Sequence, residues 1–75
     1  MNDKQELEIL GDKFRSVRLS KNLTQNELAA LVDKDQQSIQ RFEKGKINPS
    51  YLYLLEICEG LEVELIDVLN TELED

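Results

Sequence analysis

The six residues Leu23–Leu28, "LTQNEL", constrain this chain more than any other stretch, because they mark where one helix must start and how the chain enters it. Thr24 can accept a hydrogen bond from the backbone N–H of Glu27, and the Glu27 carboxylate can reach back to the Thr24 N–H, a capping box. Leu23 and Leu28 stand at the two positions of a hydrophobic staple. The helix that begins here is predicted to be short, since "DKD", Asp33–Asp35, breaks the apolar pattern after Val32. Asp33 tolerates positive φ, and Asp35 can cap a further helix starting at Gln36. Two short helices joined by a tight turn follow from these local signals alone.

The remainder of the chain has helical periodicity. Leu7, Leu10, Phe14 and Val17 step by three and four along one helix face. That first helix is predicted to stop near Lys21–Asn22, with asparagine suited to the left-handed conformation of a C-terminal cap. Gly45 ends the third helix, Pro49 suits the first position of a fourth running to about Leu61, and a fifth covers about 64–69. No segment alternates with the period of a strand. The expected fold is all-α, a compact five-helix domain over residues 1–75 with an acidic tail over about 70–75. Seventy-five residues make one small domain, close to the size at which a core alone holds a chain folded.

Composition narrows the function. With no histidine and one cysteine, neither a metal-ligand cluster nor a histidine-assisted nucleophile is available. A chain this small also has little room for a catalytic cleft, so no enzyme, cofactor or small-molecule ligand is expected. No apolar run approaches the roughly 20 residues of a membrane span, no signal-peptide pattern opens the chain, and the lone Cys58 suits a reducing cytoplasm; it reads as a small core residue. The net charge of −7 is unevenly placed: residues 12–50 carry eight Lys/Arg against five Asp/Glu, a net of +3, and the rest of the chain carries −10. Within that basic middle lies "QQSIQRFEKGK". At 100° per residue Ile39 and Phe42 fall on one side of the third helix. Gln37, Gln40, Arg41 and Lys44 fall on the other, and Gln36 projects from the first turn. An ordinary polar helix surface would look the same. However, glutamine presents a donor and an acceptor side by side, matching the major-groove edge of adenine.

The whole arrangement is a helix-turn-helix over about residues 24–44, and "LTQNELAALVDKDQQSIQRFEKGKINP" resembles the DNA-binding domain of the Cro and phage-repressor family, the xenobiotic-response-element type. The resemblance covers about 10–69, and "QQSI" is similar to the recognition-helix start of one lambdoid repressor subgroup. It implies a lambda-repressor-like fold and sequence-specific binding to double-stranded DNA. Position by position it implies that Gln25 grips a phosphate and braces Gln36. Gln36 and Gln37 would read bases, and Ser38 would lie close to base edges. Lys44, Lys46 and Asn48 would meet phosphates, and Arg18 and Glu43 would form a structural bridge between helix one and the end of helix three. Gln40 and Arg41 share the outward face with these readers. The chain departs from the pattern at Asp33 and Glu62, where the family has glycine, at Lys34, where it has an apolar residue, and at Arg41, where the glutamine-reading subgroup has a third glutamine. An adenine followed by a C·G pair, with guanine favoured by Arg41 further in, is the half-site expected.

The C-terminal third holds more apolar residues than a core requires. Leu54, Ile57, Cys58 and Leu61 share the inner face of helix four, with Leu52 opposite and Tyr53 off the core face. In helix five Leu65 and Val68 can point inward, leaving Ile66, Leu69 and Leu73 for a homodimer surface. The expected function is a transcriptional regulator of repressor type, a homodimer on a palindromic operator. Alternatives are a restriction–modification controller, an antitoxin, or, in another class, a protein-binding adaptor using the acidic, apolar C-terminal surface.

Overall fold

The structure, a computed structural model, describes residues 2–73. Of the acidic tail expected over 70–75, residues 74 and 75 lie outside the described residues. Among those described, the chain is all-α, with helices α1 (Asp3–Ser20), α2 (Gln25–Leu31), α3 (Gln36–Glu43), α4 (Tyr51–Leu61) and α5 (Leu65–Leu69), and no strand.

Local chemistry sets most of the boundaries. Asn2 starts α1 by accepting from the N–H groups of Lys4 and Gln5, which carries the helix back beyond the apolar positions that reveal it in the sequence. The Thr24–Glu27 capping box opens α2 with both bonds made, Asp35 caps α3 through the Ser38 N–H, and Ser50 caps α4 through the Tyr53 N–H. Each such cap contributes about 1 kcal/mol. Pro49 therefore does not occupy the first helical position: it precedes Ser50, whose hydroxyl accepts from the Tyr53 N–H, a role that proline, with no side-chain acceptor, cannot fill. Left-handed residues follow three of the helices: Asn22 (φ 60°), Asp33 (φ 54°) and Glu62 (φ 59°), with Gly45 (φ 73°) after α3. Asp33 and Glu62 thus adopt the backbone of the glycines they replace, at a cost that is smaller for aspartate, whose short side chain can bond locally, than for glutamate.

The core is one cluster in which Phe14, Leu28, Ile39, Phe42, Ile57, Leu61 and Val68 are buried. Phe42 lies at its centre, edge-on to Phe14 (centroids 5.0 Å apart) and to Tyr53 (5.2 Å). Tyr53 is thus not off the core face as the sequence reading had it: it packs on Phe42 and continues the line Tyr53–Ile57–Leu61, spaced by four. Burying each large apolar side chain contributes about 1.5–3 kcal/mol, so Ile39 and Phe42 hold the eight-residue α3 although a helix that short is unstable alone. Gly11 lets α1 approach the end of α3, since a Cβ there would collide with the Glu43 backbone carbonyl. Cys58 is buried with a free thiol, its pKa pushed up first by desolvation and then by Glu64. A buried, protonated thiol is a packing group.

Candidate nucleic-acid interface

The outward face of α3 follows from its inner one. With Ile39 and Phe42 buried, the helix presents Gln37, Arg41 and Lys44 to solvent and holds Gln36 and Gln40 half-buried. Gln37, Gln40, Arg41, Lys44 and Lys46 line one shallow concavity. A neighbouring concavity joins Gln25, Lys44 and Lys46 to Lys4 and Arg15 of α1, with Glu8 and Asp12 on its wall. Asn48 is exposed in the loop before α4. Polar donors and cations thus occupy one side of the molecule, a modestly basic surface on an acidic chain.

Gln36 is held in place. Its Nε2 donates to Gln25 Oε1 at 2.7 Å, and Gln25 Nε2 donates to Glu43 Oε1 at 3.0 Å. Glu43 in turn accepts two bonds from Arg18, from Nε to Oε2 at 2.8 Å and from Nη2 to Oε1 at 3.0 Å. The Arg18 and Glu43 side chains are 6% and 2% exposed, and Arg18 Nη1 donates to the Leu23 carbonyl at 2.6 Å. This forked geometry offsets the desolvation of both charges, and among the described residues no buried side-chain nitrogen or oxygen lacks a partner. One hydrogen-bonded series therefore runs from α1 through both helices of the motif to the first side chain of α3.

Ser38 is placed differently from the other α3 residues. Its hydroxyl lies 3.0 Å from Tyr53 Oη, so it faces α4 and stands apart from the outward fan. The Lys34 ammonium lies 4.7 Å from the centre of the Tyr53 ring and 3.3 Å from Glu56 Oε1. At the departure from an apolar residue, a cation on an aromatic face now joins the turn to α4. Tyr53 and Lys34 are site-supporting residues that the sequence reading missed; the spacing of four from Tyr53 to Ile57 was the available signal.

A second surface, beyond Asp12 and Arg15 of α1, exposes apolar side chains. Ile66 is 62% exposed, and Leu69 and Leu73 are also exposed. Leu73 borders a concavity with Leu19 and Ser16 of α1, and Lys13 Nζ donates to the Leu69 carbonyl at 2.6 Å, tying α5 to α1. No described helix is long and apolar enough to cross a membrane, and no metal-binding cluster occurs among the described residues.

Comparison with known proteins agrees with this geometry. The Helix-turn-helix family matches residues 14–68. The HTH-type transcriptional regulator y4dJ of Sinorhizobium fredii is 31% identical over 62 residues, 83% of this chain and 80% of that protein. Among solved structures, the restriction-modification controller protein C.AhdI of Aeromonas hydrophila superposes with a TM-score of 0.82 at 28% identity, over 85% of this chain and 97% of that one. The clp gene regulator ClgR of Corynebacterium glutamicum gives 0.81 at 29% identity, over 92% and 86%. A capped α2, a tethered α3 with its polar face outward, and these likenesses lead to one conclusion: the chain belongs to the Cro/C1-type helix-turn-helix family of DNA-binding transcriptional regulators.

Proposed function

We propose that the protein is a repressor that binds a palindromic operator as a homodimer, with α3 of each protomer in successive major grooves about 34 Å apart. Gln36, Gln37, Gln40 and Arg41 discriminate bases. Gln25, Lys44, Lys46 and Asn48 set the register on phosphates. Ile66, Leu69 and Leu73 form the contact between protomers, and occupancy of the operator excludes polymerase. The observation that carries this reading is the hydrogen-bonded series from Gln36 to the buried Arg18–Glu43 pair. A glutamine whose amide is fixed in advance loses less freedom on meeting a base, which favours selective contact. A glutamine serving only solubility needs no such support.

Selection of bound duplexes from a random pool, followed by a salt titration, tests the proposal. A palindromic consensus containing an adenine followed by C·G in each half, with affinity falling steeply as salt rises, is the expected result. Weak binding without base preference or salt dependence would instead favour the adaptor reading. The likeness to C.AhdI, which spans 97% of that chain, favours restriction–modification control as the second reading of the biological role; an operator lying upstream of a neighbouring endonuclease gene would decide for it.

A further inference from the structure

We infer that Tyr53 of α4 is a specificity-determining positioning residue, whose hydroxyl sets the roll of the recognition helix by holding Ser38. The inference rests on the direct-readout reading above. The helix has eight residues and two buried apolar anchors, Ile39 and Phe42. Apolar contacts are non-directional, so two of them resist sliding better than they resist rotation about the helix axis. Side-chain tips lie about 5–6 Å from that axis, so a roll of about 10° displaces them by about 1 Å. Useful hydrogen-bond distances span only about 0.5 Å, and a roll of that size would disable a paired amide–base contact. Directional tethers are what prevent it.

The structure ties α3 in this way to three helices, beginning with the bonds from Arg18 of α1 to Glu43 at its end. On the α2 side stands the Gln36–Gln25–Glu43 series. On the α4 side stands the Ser38 hydroxyl, 3.0 Å from Tyr53 Oη, with a longer bond of 3.4 Å from that phenol to the Ser38 carbonyl. Tyr53 is itself held on two sides: it packs edge-to-face with Phe42, and Lys34, anchored by Glu56, covers its ring. Burial, the largest influence, raises the phenol's pKa above its usual 10, so the group remains a neutral hydroxyl. Ser38 gains a second consequence from this bond. A free serine hydroxyl on a groove-facing helix pairs with either kind of base edge and would dilute discrimination; bound to Tyr53, it is withheld.

Tyr53→Phe removes the hydroxyl and keeps the ring contacts, and Ser38→Ala removes the other end of the same bond. Binding of a selected duplex and of a scrambled duplex is measured for the wild type, each single variant, the double variant and Ser38→Thr, with a melting curve for each. The expected result is a specific-to-scrambled affinity ratio lower by about three- to tenfold in each single variant, the size of one neutral hydrogen bond. The double variant should lose no more than either single one, and Ser38→Thr should keep the wild-type ratio, with scrambled-duplex affinity and its salt slope constant throughout. Should Tyr53→Phe fold poorly, Ser38→Ala reads the same bond with the ring in place. An unchanged ratio in the single variants, or losses that add in the double, overturns the inference alone. A wild type that does not distinguish the two duplexes overturns the regulator reading with it.

Discussion

In α3 the outward side chains are polar and the first of them, Gln36, is tied back into the fold, whereas α5 exposes Ile66 and Leu69 beside Asp67. Gln36 is connected through Gln25 to a buried ion pair, and each helix of the motif has its N-terminal cap bonded. By contrast, α5 begins at Glu64 without a side-chain cap, and Ile66 and Leu69 face solvent. The difference suits the two kinds of recognition proposed for these surfaces. A surface that reads hydrogen-bonding edges must fix its donors before the partner arrives. A surface that gains affinity from removing apolar area from water needs shape and little else, and it can be short and weakly capped while it is uncovered.

The contrast is tested most severely at its buried end. Arg18→Met leaves Glu43 as an unpaired buried charge, and unfolding by urea should show a loss of about 3–5 kcal/mol, enough to unfold much of a domain this small. A melting temperature close to wild type combined with lost DNA binding would mean that Arg18 acts on DNA and that the tethered surface has no structural root. At the other end, Ile66→Glu should weaken the proposed dimer by about 2–3 kcal/mol, the cost of burying an uncompensated polar group, while the helical signal persists. Sedimentation equilibrium checks this, and a wild type that stays monomeric at high concentration yet binds a palindrome tightly would remove the dimer surface from the comparison.

Smaller effects sharpen it. Gln36→Ala should lose about 1–3 kcal/mol on a matched duplex and relax preference at the adenine alone, whereas Lys44→Ala should weaken all sequences alike and reduce the salt slope by about one; parallel selections on the two variants distinguish these patterns. Glu62→Gly, which relieves a left-handed glutamate after α4, should raise stability by up to about 1 kcal/mol without changing DNA affinity. The smallest effect concerns pH. Hydrogen bonds from the Thr24 backbone and side chain hold the Glu27 carboxyl below its ordinary 4.5. A carboxyl whose folded pKa is depressed stabilises above its unfolded value and stops doing so as pH falls through the folded one. Acid titration of Glu27→Gln should therefore lack a small loss of stability that the wild type shows below about 4.5.

The sequence alone determined the features that depend on residues three or four apart. The Thr24–Glu27 box, the Asp35 cap, the left-handed Asn22 and Asp33, the stop at Gly45 and the inward pair Ile39–Phe42 all arise from such neighbours, and the helix count and all-α class follow from them. The polar fan of α3 was legible for the same reason, as the far side of a two-residue apolar stripe. Pro49 misled because a nearby cap, Ser50, competed for the start of α4. What only the tertiary structure decided are contacts whose partners are brought together by packing: Gln36 with Gln25 eleven residues away, Ser38 with Tyr53 at fifteen, Gln25 with Glu43 at eighteen, and Lys13 with the Leu69 carbonyl at fifty-six. The family resemblance anticipated the Gln25–Gln36 brace and the Arg18–Glu43 bridge, but spacing did not. The spacing of four from Tyr53 to Ile57 could place Tyr53 on the inner face of α4, but nothing in the local sequence turns Ser38 away from the fan or pairs it with Tyr53. Those directions are set when Phe42 is buried and α4 closes over it, because a side chain's partner across a core depends on where whole helices settle, and local periodicity carries no record of that.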